Sequence, residues 1–178
     1  MYQEILNFWF DETKPNQWWK KDKSFDQIIT ERFSDIHALA ARCELFDWRE
    51  KAHGRLAEIL ILDQFSRNMF RDTARAFAYD NLALALAQEA VAAGADLLLT
   101  PIERSFLYMP YMHSESLKVH AIATELFDEN ELQNNIDFEL KHRKVIEQFG
   151  RYPHRNAALG RESTPEEVEF LKQPGSRF

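Results

Sequence analysis

The stretch WREKAHGRLAEILILDQFSRNMF, Trp48 to Phe70, constrains the fold more than any other part of the chain. Read as one helix turning about 100° per residue, it puts Leu56, Ile59, Leu60 and Phe70 on one side. Leu62, Phe65 and Met69 fall roughly opposite. A helix that is apolar on two sides has no face to offer water, so it must run through the middle of the molecule with other elements packed around it.

The rest of the chain supplies helices to surround it. Tyr2 to Phe10 reads as a short apolar helix. Ser24 with Gln27, and Asp47 with Glu50, have the spacing of capping boxes, which predicts helices from Ser24 through about Arg42 and from Trp48 onward. A turn at Arg71 to Thr73 precedes an Ala/Leu-rich helix from about Ala74 to Ala93, stopped at Gly94. Thr100, Pro101 and Glu103 read as the first positions of a helix that Pro110 should kink or end. Further helices are expected from Ser114 to Asp128, from Asn135 to Phe149 with Gly150 as its stop, and from Thr164 with Pro165 and Glu167. Strand signals are nearly absent and no Gly/Pro/Ser-rich linker divides the chain. The expected fold is therefore all-α: one domain over residues 1–178, about eight helices in antiparallel pairs. Tetratricopeptide arrays are built from such pairs, but no self-similarity of about 34 residues recurs, so any likeness is one of shape.

Composition excludes several classes of function. A formal charge of −7 leaves no general basic face for nucleic acid. The single cysteine, Cys43, rules out an internal disulfide and a cysteine-based zinc site, and points to a reducing cytoplasm. The first residues, MYQEILNFWFDETKP, lack the basic start and apolar run of a secretory signal, and no stretch approaches the ~18–20 apolar residues of a membrane span. There is no nucleophile elbow, phosphate-binding loop or dinucleotide glycine pattern. No cofactor is expected.

Against that plain background two polar features stand out. The end of the central helix carries Asp63, Gln64, Arg67, Asn68 and Arg71 in one wedge, with Asp63, Arg67 and Arg71 spaced to meet along a helix face. A buried unpaired polar atom costs about 1–3 kcal/mol and a charge more, so these groups need polar partners. They form either an internal Asp–Arg bridge or the wall of a pocket. The second feature is FGRYPHRNAALGRESTPEEVEFL, Phe149 to Leu171, where Arg151, His154, Arg155, Asn156 and Arg161 gather between one helix end and the next helix start. Arginines there suit a forked contact to a carboxylate or phosphate.

Of the six histidines, His113 and His120 lie seven apart, and His142 sits on the stripe Phe138, His142, Val145, Phe149 that should face the core. His142 is expected to bond a carboxylate or carbonyl there. The H-E-x-x-H and paired E-x-x-H patterns are missing, so no metal site is assigned, although His113, Glu115, His142 and Asp63 are ligand types.

The segments ILNFWFDE, LILDQFSRNMFRDTARAFAYD, FLYMPYMHSE and HRKVIEQFGRYPHRNAALGRESTPEEVEFL together resemble the bacterial family called domain of unknown function 924. The resemblance implies an all-helical, tetratricopeptide-like fold and no known activity. Its motif positions here are Asp63, Gln64, Arg67 and Asn68, then His113, Ser114 and Glu115, then Arg151, His154, Arg155, Asn156 and Arg161.

Three functional readings follow. In the first, the Arg151–Ser163 loop folds over the Asp63 wedge and the His113 turn to make a pocket for a small anionic ligand. Asp63, Gln64, Arg67, Asn68, Arg151, His154, Arg155, Asn156 and Arg161 would bind it, and His113, His154 or Glu115 would carry any proton. In the second, helix pairs form a groove for a protein partner, with the rings of Phe8 to Phe10 and of Trp18 and Trp19 as anchors. In the third, the arginines only bridge acidic helices.

Overall fold

The computed structural model describes residues 1–130 and 132–176, and among them it is helical without strands. Ten α-helical segments follow one another: α1 (Tyr2–Leu6), α2 (Lys23–Ala41), α3 (Ala52–Leu60), α4 (Ser66–Met69), α5 (Asp80–Ala92), α6 (Pro101–Met112), α7 (Leu117–Glu129), α8 (Gln133–Phe149), α9 (Asn156–Leu159) and α10 (Pro165–Phe170). Short 3₁₀ turns fill several of the connections; of two wider π turns, Asn7–Glu12 ends the run begun by α1, and Ile61–Phe65 lies between α3 and α4.

The expected central helix is central. Every residue from Leu56 to Ser66 is buried. Its course differs from one uniform helix in two ways. Phe46–Glu50 forms a 3₁₀ turn and Lys51 is extended, so the helix starts at Ala52 and the Asp47–Glu50 capping box does not form. Between α3 and α4 the π turn Ile61–Phe65 adds a residue to the winding and so shifts the register of everything after it. Around this axis Phe8, Trp9, Phe25, Phe33, Phe65 and Phe106 form a ring cluster, with Trp9 5.6 Å from both Phe65 and Phe106. A smaller core of Val145, Ile146 and Tyr152, flanked by Phe149 and Phe170, joins α8 to the segment after it.

Local capping chemistry explains most of the boundaries. Thr100 with Glu103 and Thr164 with Glu167 form complete capping boxes, and Gly150 closes α8 in the left-handed conformation at φ 69°. At α2 the cap is Asp22, not Ser24: its carboxylate accepts from the Ser24 and Phe25 amides, a stronger acceptor than a hydroxyl. The Ala74 start becomes a 3₁₀ turn, Ala74–Phe77, and α5 begins at Asp80. Pro110 does not end α6, which continues to Met112; burial of every residue from Ser105 to Met112 outweighs the one amide a proline lacks. The Ser114 start moves to Leu117, because His113 to Ser116 turn the chain between α6 and α7.

One glycine of the central helix is there for space. A Cβ at Gly54 would collide with the Trp48 carbonyl, a backbone atom that cannot swing aside. Gly54→Ala is expected to destabilise the protein by about 1–3 kcal/mol through overpacking, measured by urea unfolding, despite the better helix propensity of alanine.

Candidate functional site

The π turn aims Asp63 sideways out of the central helix, into the interior, where it is 1% exposed. Three groups meet it. His113, at the end of α6, places Nδ1 2.7 Å from Asp63 Oδ1; Arg67 Nη1 lies 3.0 Å from the same oxygen; Gln64 Nε2 donates to Oδ2 at 2.6 Å. Burial alone would raise the Asp63 carboxyl, but Arg67, His113 and Gln64 together hold it well below the usual carboxylate range. Burial, reinforced by the Arg67 charge, lowers the His113 imidazole against the pull of Asp63. The pair is a carboxylate beside a neutral imidazole.

Arg67 is shared. Both its terminal nitrogens also donate to Asp80, at 2.9 Å each, and Arg155 Nη1 reaches the same carboxylate at 3.1 Å. Arg155 Nη2 donates to the His113 carbonyl at 2.9 Å, while its Nε, buried, has no acceptor among the described residues. The guanidinium is held between the rings of Phe77 and Tyr152, 4.7 Å from each centroid. Asp80, the first residue of α5, thus joins the central helix to the segment after α8. Nothing local in the sequence singles it out, since its partners lie 13 and 75 residues away.

The remaining arginines take other partners. Arg71 goes not to Asp63 but to Asp26 of α2, at 2.6 Å, and Asn68 donates to the same carboxylate at 2.8 Å. Arg151 forks onto Glu167, with Nε and Nη2 at 2.7 and 2.8 Å. Arg161 forks onto Glu115, which also accepts the Tyr152 amide. Asn156 ties Glu167 to Arg161. The segment Arg151–Ser163 is therefore stapled down, with a 3₁₀ turn at Pro153–Arg155 and the short helix α9 inside it. The Arg151 bond holds the Glu167 carboxyl down at about 2.

Above the Asp63–His113–Arg67–Arg155 cluster opens a cleft of about 930 Å³, within the range of small-molecule sites. Gln64, Arg67, Asn68, His113, His154 and Arg155 line it; Asp63, Glu115, Arg151, Asn156 and Arg161 do not. Phe77, Met109, Met112, Phe138 and Tyr152 give it apolar sides, and Trp18 and Trp19 stand at its edge. Trp18 is part of the ring core, 4.9 Å from Phe106, and donates its indole N–H to the Trp9 carbonyl, whereas Trp19 is 61% exposed. His142 also lines the cleft; its Nδ1–H donates to the Phe138 carbonyl and burial pushes its ring down to about 3.

Four lining residues escaped the sequence reading. Lys20 and Lys21, before α2, and Lys141 and Lys144, on α8, are exposed and have no ion pair among the described residues. In the sequence each reads as an ordinary solvated lysine. With Arg67, Arg71 and Arg155 they set seven cationic side chains against one acid, Asp72, among the described residues of the lining. Among the described residues no three His, Cys, Asp or Glu side chains converge as metal ligands, and no helix is long and apolar enough to cross a membrane.

The family described as "Bacterial protein of unknown function (DUF924)" matches residues 5–175. A solved structure similar to this chain is that of a protein of unknown function, ATU0120, from Agrobacterium tumefaciens. It is 40% identical, with 96% of each chain covered and a TM-score of 0.91. No curated protein matches the chain.

Two predictions follow from the charge network. Asp80→Ala deprives the largely buried Arg67 and the buried Arg155 of their shared carboxylate, so a loss of about 3–5 kcal/mol in urea unfolding is expected. The exposed Glu166→Ala should stay within about 0.5 kcal/mol of the parent. The histidines set the pH dependence. His37 falls to about 4 and His142 and His154 to about 3, each chiefly by burial, and His113 is lowered too. The folded state therefore binds fewer protons than the unfolded one, and stability, complete above about pH 6.5, falls as pH drops toward 3. A melting series from pH 7.5 to 4 should show this, and His142→Gln should reduce the slope by about one proton.

Proposed function

The chain belongs to the bacterial family DUF924, and we propose that its cleft binds a small anionic ligand, a carboxylate or a phosphate. The observation that carries this reading is the charge reversal: in a chain of formal charge −7, the described residues of the large cleft's lining include seven lysines and arginines and one aspartate. A concave, partly apolar wall of one sign concentrates the field and draws counter-charged solutes in.

The arginines and the lysines divide the work. Arg67 and Arg155 have their charge balanced by Asp63 and Asp80, so they act on a ligand as fixed hydrogen-bond donors. Long-range attraction comes from Lys20, Lys21, Lys141 and Lys144 at the rim. Gln64, Asn68, Arg67, His154 and Arg155 would touch the ligand. Arg151, Asn156 and Arg161 serve by clamping the segment that carries His154 and Arg155. A bacterial cytoplasm, rich in phosphorylated and carboxylated metabolites, suits such a cleft. The tetratricopeptide-like reading, a groove for a protein partner, has Trp19 and Phe138 as exposed rings in the cleft lining.

Titration calorimetry with inorganic pyrophosphate tests the proposal. Binding should weaken as salt rises, and the double variant Lys141→Glu/Lys144→Glu should weaken it more than about tenfold, about 1.4 kcal/mol. Lys118→Glu, exposed and outside the cleft, should leave it unchanged. Absence of binding, or equal losses in the two variants, would contradict the reading.

A further inference from the structure

The floor of the cleft is built differently from its rim. Two guanidiniums, Arg67 and Arg155, stand against two carboxylates, Asp63 and Asp80, so the floor is close to neutral, while the four exposed lysines, which have no ion pair among the described residues, put the net positive charge at the mouth. A ligand seated here would leave its anionic part among the lysines and bring an uncharged polar group down to His113.

His113 is prepared to act on such a group. Asp63 is ionised and only accepts, so the 2.7 Å contact is a hydrogen bond donated by His113 Nδ1–H. In the neutral ring this leaves the lone pair on Nε2. No group of the described chain bonds to Nε2, and His113 lines the cleft. Asp63 is itself pinned by Gln64 and Arg67, so the ring cannot swing without breaking a buried network. Base, orienting carboxylate and a second layer that holds the carboxylate are the parts of a proton-abstracting site. Arg67 and Arg155 line the same cleft with cationic N–H groups, which would meet charge developing on a reacting oxygen.

We propose that His113 and Asp63 form a general-base dyad that hydrolyses a carboxylic ester whose acid or alcohol part carries a separate anionic group. The inference rests on the anion-binding reading of the same cleft. Nε2 takes a proton from water as the water oxygen bonds to the ester carbonyl carbon, and the carbonyl π pair moves onto its oxygen, facing the arginines. When that pair returns, the carbon–oxygen bond to the alcohol breaks and Nε2–H gives its proton to the departing oxygen. Water is the only co-reactant, the products are an acid and an alcohol, and no oxidation state changes. The near-neutral floor is the reason for a carbonyl: a doubly charged phosphoryl group would belong with the lysines. His113 is the catalytic residue and Asp63 the residue that positions it.

The test uses the full chain with mono-4-nitrophenyl succinate, an anionic ester, and with 4-nitrophenyl phosphate. The succinate ester should be hydrolysed above background, with kcat/KM rising with pH through the His113 titration. His113→Gln should lower kcat by about 10²–10⁴-fold with KM within about threefold. Asp63→Asn, checked for folding by circular dichroism, should lower kcat and move the pH limb. Pyrophosphate binding, measured on the same samples, should survive in His113→Gln. Retained binding without ester hydrolysis, or equal rates for parent and His113→Gln, would overturn the dyad while leaving the anion cleft standing. Turnover of the phosphate ester alone would overturn the choice of a carbonyl. Loss of pyrophosphate binding in the parent would remove the underlying reading itself.

Discussion

A carboxylate buried in the middle of the central helix is the constraint from which the rest of the polar structure follows. Asp63 sits among Leu60, Ile61, Leu62 and Phe65, all fully buried, and an ionised carboxylate in such surroundings is tolerable only if charges and donors surround it. Arg67 and His113 supply them, but Arg67 then needs a partner for its own remaining charge, which brings in Asp80, which in turn brings in Arg155. One buried charge thus recruits α4, α5, the end of α6 and the segment after α8 into a single network.

The same chain of compensation explains why the cleft exists where it does. The network consumes the polar capacity of Asp63 and Asp80, while Arg67, Arg155 and His113 also line the cleft, the histidine with a ring nitrogen that has no bonding partner in the described chain. Apolar rings of Phe77 and Tyr152 hold Arg155 flat against this wall, and the clamps Arg151–Glu167 and Arg161–Glu115 keep the carrying segment in place. The arginine-rich segment is therefore a fixed wall whose rigidity comes from its own ion pairs, and lysines elsewhere provide the unbalanced charge.

Much of the fold was legible because it is written in local signals. The two-sided apolar pattern of the central helix, the two Thr–Glu capping boxes and the glycine stop at Gly150 depend on residues a few positions apart, and each appears where expected. The Asp63–Arg67 bridge was legible for the same reason. What was hidden depends on distance or on context. The π turn at Ile61–Phe65 has no compositional mark, yet it directs Asp63 toward His113. Asp26 and Asp80 look like ordinary helix acids until the fold brings Arg71 and Arg155 to them from 45 and 75 residues away. Lys20, Lys21, Lys141 and Lys144 are solvated in sequence and in structure alike; only their convergence on one cleft distinguishes them.

The account turns on the protonation of one pair, an ionised Asp63 bonded to a neutral His113. Long-range nitrogen–proton correlation spectra of the imidazole groups at neutral pH observe this directly. The account predicts that His113 carries its proton on Nδ1, with a bare Nε2, and titrates below an ordinary histidine. An imidazolium at neutral pH, or a proton on Nε2 with a bare Nδ1, would contradict it.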